Sequence, residues 1–252
     1  TIQAEGKKVA IELEGVLQAV QLKNLVVQGF TETGILGKSA SGISVKDALL
    51  LENVRLQAGD SQAVGIRLVE GQTDATQRLT VRGGSIIGPM AAGVVFNSKT
   101  YDVLIQQTII HNAAVGIRID GQSPFLQNTE FSNNTFHQLE RGIVFSAMPD
   151  STSNGLVFSR NLFAAIKGPE IVVEKDFKEL PFNGMVSVSV PILHNWSTRT
   201  VPANPKQGER ELMLPNPKGQ RTGRLKFLST DPADDQFLVP SPGVLPRNLG
   251  GA

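Results

Sequence analysis

The sequence predicts an all-β solenoid in which short parallel strands of successive turns stack into a rod. Three observations predict it: an apolar motif recurring at fixed intervals, a glycine-led strand that keeps step with it, and a turn-rich composition. The first column reads Leu22-Lys23-Asn24, Leu51-Glu52-Asn53, Val81-Arg82-Gly83, Ile105-Gln106-Gln107, Phe131-Ser132-Asn133 and Phe158-Ser159-Arg160, at intervals of 29, 30, 24, 26 and 27 residues. The second reads Gly42-Ile43-Ser44-Val45, Gly65-Ile66-Arg67-Leu68, Gly93-Val94-Val95-Phe96, Gly116-Ile117-Arg118-Ile119 and Gly142-Ile143-Val144-Phe145, at intervals of 23, 28, 23 and 26. Periods of this size mark units that bury their apolar faces only against one another.

Each repeat holds two or three short strands with period-2 alternation. Ile43, Ile66, Val94, Ile117 and Ile143 point inward, as do Val45, Leu68, Phe96, Ile119 and Phe145. Ser44, Arg67, Val95, Arg118 and Val144 point outward. The glycines let the chain turn where a Cβ would obstruct. Asn134 and Asn161 share one offset and Asn24, Asn53 and Asn133 the position before it. Stacked asparagines form hydrogen-bonded ladders and tolerate left-handed backbone.

Residues 1–21 start the solenoid and 22–173 form its body, about six turns that make a rod about 29 Å long at a strand spacing of roughly 4.8 Å. The alternating Met185-Val186-Ser187-Val188-Ser189-Val190 lies in a last turn or capping strand, residues 184–196, over an otherwise exposed edge. The predicted division is a β-helix with its cap over 1–196, then a Pro-rich extended linker and tail over 197–252, packed on the solenoid. Residues 198–226 carry seven Lys+Arg against two Glu, read as a solvated linker. Pro232, Pro240, Pro242 and Pro246 keep the tail extended.

The 252 residues include 25 Gly and 14 Pro, and 24 Lys+Arg against 23 Asp+Glu, a formal charge of +1. That balance argues against a nucleic-acid partner, which needs a basic face. Cysteine is absent, which excludes disulfides, thiolate metal sites and a cysteine nucleophile. No apolar run reaches the ~18–20 residues of a membrane span. The chain opens on Thr1, as a processed product or an excised piece would.

The pattern Gly-Ile-x-apolar followed by apolar-x-Asn-Asn-x-apolar, clearest in FSNNTFHQ and FSRNLFAA, resembles the right-handed parallel β-helix superfamily, the pectate-lyase-like solenoids. The resemblance covers roughly residues 9–173. It extends to β-helix regions of large bacterial multidomain proteins, some of which also carry a serine/threonine kinase domain. Right-handedness is implied by this resemblance alone. β-Helices host lyases, hydrolases, adhesins and inert scaffolds, so fold and activity separate.

Turn lengths suggest where a site would lie. Six residues separate Ile87 from Gly93, Ile110 from Gly116 and Phe136 from Gly142, which makes those corners tight. The connections at 69–78, 97–102, 120–129 and 146–155 are longer, and solenoid insertions often line the binding side. Asp74, Asp102, Asp120 and Asp150 each fall in one of these loops, beside outward Arg67 and Arg118. Paired carboxylates suit glycoside hydrolysis, and a cation suits a lyase; aspartate is equally a turn residue. His111 and His137 share an offset with Gln28 and Gln57, which places the two imidazoles side by side in a polar surface ladder.

These readings predict a non-catalytic β-helix module of a larger bacterial protein, without a cofactor or metal. It would bind a polysaccharide or protein partner or act as a rigid scaffold, in an extracytoplasmic or cell-surface setting. Two alternatives stay open. One is a polysaccharide lyase or glycoside hydrolase using Asp102, Asp120 and Arg118, with Asp74, Asp150, Arg67, His111 and His137 in binding. The other is a parent kinase whose catalytic domain lies outside this chain.

Overall fold

The structure, a computed structural model, describes residues 1–15, 20–39, 49–69, 79–147, 153–175, 192–199, 206–212, 221–222, 226–234 and 236–241. No helix occurs among them. The strands pair almost wholly in parallel, each with its counterpart one turn on, and three faces result. The first stacks Ile11, Ile35, Ile66, Val94, Ile117, Ile143 and Ile171 in register. The second stacks Leu22, Leu51, Val81, Ile105, Phe131, Phe158 and Ile192. The third stacks Val27, Leu56, Ile86, Ile110, Phe136, Phe163 and Ser197. Two strands, Leu79–Tyr101 and Ile109–Ser132, run on unbroken around the corners between faces.

The period-2 reading of the core holds. Ile66, Val94, Ile117 and Ile143 are buried, and so are Leu68, Phe96, Ile119 and Phe145. Inside the rod the phenylalanines stack turn upon turn. Phe136 and Phe163 lie nearly parallel with ring centres 4.8 Å apart, and Phe131 sits 5.3 Å from Phe158. Rings in such offset stacks gain about 0.5–1.5 kcal/mol per pair beyond their burial. One turn supplies half of each contact, so no turn is stable alone.

The glycine column is real, but its first member is corrected. Thr33 and Ile35 pair with Val64 and Ile66, so Gly34, not Gly42, stands opposite Gly65. Gly42 to Val45 lie outside the described residues. A Cβ on Gly65 would come within 2.6 Å of the Gly93 carbonyl, and one on Gly93 within 2.7 Å of the Gly116 carbonyl. The column is therefore glycine because adjacent turns touch there, not because of unusual dihedrals.

The asparagine ladder is longer than the motif suggested. Asn134 Nδ2 donates to Asn161 Oδ1 at 3.0 Å, and Asn161 Nδ2 donates to Asn195 Oδ1 at 3.0 Å. The same amides donate to the Ile105 and Phe131 carbonyls, and Asn134 Oδ1 accepts from the Thr108 backbone. All three asparagines are buried, so each side chain satisfies corner backbone groups that water cannot reach. Asn24, Asn53 and Asn133 adopt positive φ, as their position predicts.

Short segments add to each end of the rod. At the start, Ile2–Gln3 adds a short parallel rung against Val27 and Gln28. At the other end, Arg210–Glu211 runs antiparallel along Ile171–Val173. There Arg199 bridges buried Glu170 and Glu211. On this first face a strand of opposite direction ends the parallel ladder, while on the third face Trp196–Ser197 continues it in parallel with Arg221–Thr222.

Two outward positions are corrected. Val95 and Val144 do point away from the core, yet they are 6% and 0% exposed. Val64, Ala92 and Val115 pack around Val95. Val144 lies one turn beyond Arg118, whose guanidinium reaches Glu174 two turns along the rod. That span, about 10 Å at the usual strand spacing, carries the side chain across Val144.

Candidate functional site

A chain of ion pairs occupies the outward side of the first face. Arg118 Nε donates to Asp120 Oδ1 at 2.7 Å, and its two terminal nitrogens grip Glu174 at 3.1 and 2.9 Å. Arg141 donates to the same Glu174 Oε1 that accepts from Arg118, at 2.9 Å, and pairs with Glu209 at 3.0 Å. Bidentate guanidinium–carboxylate pairs of this kind fix geometry as well as charge. The hydrogen bonds to Glu174, with Asp120 adding to them, raise the Arg118 pKa above its ordinary value.

Beside this chain, at the tight corner between the third and first faces, lies an open cleft of about 480 Å³. Asn112 and Gln138 stand on successive turns of its floor, both at positive φ and both exposed. A left-handed residue at a corner throws its side chain outward, so two amides project into the same space. Glu140, Arg141, Lys167 and Glu174 complete the polar wall, with Pro89, Met90 and Val115 among the apolar lining. Lys167 bonds Glu140 at 2.7 Å and holds that exposed carboxyl below its usual range.

Of the catalytic candidates from the sequence, Arg118 and Asp120 meet in the ion-pair chain, whereas Asp102 belongs to another column. Asp102 sits at a turn with φ 49° and accepts a hydrogen bond from Asn128 Nδ2 at 2.9 Å. Asp120 belongs to a different column, opposite Asn97. Arg67 and Arg118 share one outward column, separated by Val95. Asp74 and Asp150 lie outside the described residues, as do 70–78 and 148–152 of the long-loop side.

The two histidines come together. His111 pairs with His137 in register, and their Nδ1 atoms are 3.0 Å apart. The ring centres are 5.1 Å apart with planes at 13°. The centres are thus farther apart than the nitrogens by nearly two ring radii, so the nitrogens face each other along the line of centres. One imidazole donates and the other accepts. The expected surface ladder is corrected: both rings are buried, because the chain returns over them. Phe237 meets His111 edge-on and Phe227 meets His137 edge-on, each at 5.2 Å. Burial depresses both pKa values, that of His137 to about 4.

The family model described as right handed beta helix region matches residues 9–183. The chain belongs to the right-handed β-helix family. Comparison with curated proteins and with solved structures gave no match. The family assignment supplies the hand of the coil and covers the faces that build both the ion-pair chain and the corner cleft. Among the described residues no group of three or more His, Asp or Glu is placed to hold a metal ion.

Sequence reasoning passed over Asn112, Gln138, Arg141, Lys167 and Glu174. Three of these carried a signal. Asn112 and Gln138 follow His111 and His137 directly, so they share the same 26-residue interval. Arg141 is the charged member of an otherwise apolar column of Val64, Ala92 and Val115. Glu174 carried none, since its role depends on a rung two turns from Arg118.

Proposed function

We propose that this β-helix is a non-catalytic binding module that takes a short stretch of carbohydrate in the tight-corner cleft. The observation that carries the reading is the cleft's pairing of two outward amides, Asn112 and Gln138, with Glu140, Arg141, Lys167 and Glu174. Amide and charged groups at one spacing along a rigid rod match hydroxyls repeating along a sugar chain, and a site built on strands keeps them in place. Catalysis by paired carboxylates needs a free base and a protonated acid. Asp120, Glu174 and Glu209 instead spend their acceptors on Arg118 and Arg141, an arrangement that favours binding over turnover.

The test is calorimetric titration with a panel of neutral and acidic oligosaccharides, run alongside an assay for released product. Gln138→Gly removes one amide and also suits the positive φ at that position, so the fold is spared. Saturable binding weakened at least fivefold in Gln138→Gly, without product, supports the reading. Product release would replace it with an enzyme. Binding of a protein and of no glycan would make the cleft a protein-docking site.

A further inference from the structure

Residues 226–234 and 236–241 form a strap across the third face. Phe227 bridges to Pro240 and Ser229 to Phe237, and Leu228, Leu238 and Ser241 donate backbone hydrogen bonds within the strap. Phe237 and Leu238 pack on Ile87, with Ile109 and Phe227 beside them. The polar part of this seat is the His111–His137 pair, each ring under one strap phenylalanine. We propose that the histidine pair is a proton-operated latch that holds the strap down when neutral and releases it when protonated.

The geometry dictates the direction. With both rings neutral, a single Nδ1–H bridges the pair and no charge is buried. A first added proton puts a cation beneath two aromatic rings and the apolar Ile87 seat. A second puts two N–H groups face to face at 3.0 Å, which abolishes the bridge and sets like charges in contact. Among the described residues no carboxylate offsets that charge. Ile87 and Ala164 flank the pair in its column. On the strap, Lys226, Asp231 and Asp234 are the described charged groups, and all three are exposed. The two carboxylates accept from their own turns, at Ala233 and Gln236.

The sign follows from linkage. A histidine whose pKa is depressed under the strap is neutral there and binds protons more readily once released. Strap closure is therefore complete above the ordinary histidine range and is lost as pH falls toward 4. Taking His137 from 6.5 when released to about 4 when covered, closure weakens about thirtyfold by pH 5 and roughly 150-fold by pH 4.

Hydrogen exchange on the whole chain, corrected for the intrinsic pH dependence of exchange, tests this. The amides of Leu228, Leu238 and Ser241 should lose about thirtyfold protection between pH 7.5 and pH 5, while those around Phe136 and Phe163 keep theirs. The double variant His111→Gln/His137→Gln should flatten the profile. Glutamine already fills this column at Gln28 and Gln57, so the substitution fits the register. The single variant His137→Gln should reduce the slope and provides a second reading if the double variant folds poorly. Constant strap protection down to pH 4, equal loss in strap and solenoid, or an unchanged profile in the variants would overturn the latch.

Discussion

Gly116→Ala is the sharpest perturbation of the stacking. Its Cβ would lie 2.6 Å from the Gly142 carbonyl oxygen, 2.7 Å from Phe136 Cδ1 and 3.0 Å from Leu139 Cδ1. The carbonyl belongs to the next rung and cannot move without displacing it, and Phe136 is wedged against Phe163. Overpacking of this kind costs about 1–3 kcal/mol, and a backbone clash belongs at the upper end. The φ at Gly116 is not in the left-handed region, so alanine carries no dihedral strain there. Where nothing crowds such a site, Gly→Ala stabilises by about 0.4–1 kcal/mol through the unfolded chain. The sign of the change thus decides between close packing and mere chain flexibility. Urea unfolding followed by circular dichroism should show a midpoint lowered by about 2–3 kcal/mol divided by the m-value. An unchanged or raised midpoint would refute the reasoning.

Further predictions concern the ladder, the outward valines and the ion-pair chain. Asn161→Ala should cost about 3 kcal/mol, since it strips partners from buried groups of Asn134, Asn195 and Phe131 at about 1–3 kcal/mol each, offset by relaxation; Asn53→Gly, which removes a side chain bonded to the exposed Asn24 and suits the positive φ there, should cost less than about 1 kcal/mol in the same unfolding assay. Val95→Asp should destabilise by about 2 kcal/mol or more, because it buries a charge among Val64 and Ala92; a wild-type midpoint would restore the solvent-facing reading of Val95. Arg141→Gln should leave Glu209 and Glu174 short of their counter-charge and loosen 206–212, at about 2 kcal/mol. Exchange of the Leu212 amide, bonded to the Ile171 carbonyl, should then rise.

The core and its register were legible because a two-residue alternation repeated over many turns leaves only one side to bury. The first glycine was misplaced for a local reason. Gly42-Ile43-Ser44-Val45 mimics the motif, whereas the true rung, Thr33-Gly34-Ile35-Leu36-Gly37, puts Gly37 where later turns have Leu68 and Phe96. The structure fills that gap with Leu68, whose Cδ2 would lie 2.7 Å from a Cβ on Gly37. The ladder's last member, Asn195, stands 34 residues after Asn161 rather than 27, so the interval hid it. The cover on Val144 and on the histidines comes from Arg118 reaching two turns and from a strap outside the repeat. Periodicity gives each residue's direction but not what returns to lie over it. The corner cleft was missed because long loops drew attention to the opposite side, while short corners held exposed amides at left-handed positions.

Carbohydrate binding at the tight corner is tested most directly by NMR titration of the ¹⁵N-labelled chain with the tightest-binding oligosaccharide. The account predicts saturable shifts at Asn112, Gln138, Arg141 and Lys167 that fade in Gln138→Gly, with little change at Asp102 or Tyr101. Shifts concentrated on the long-loop side, or none at any glycan concentration tested, would contradict it.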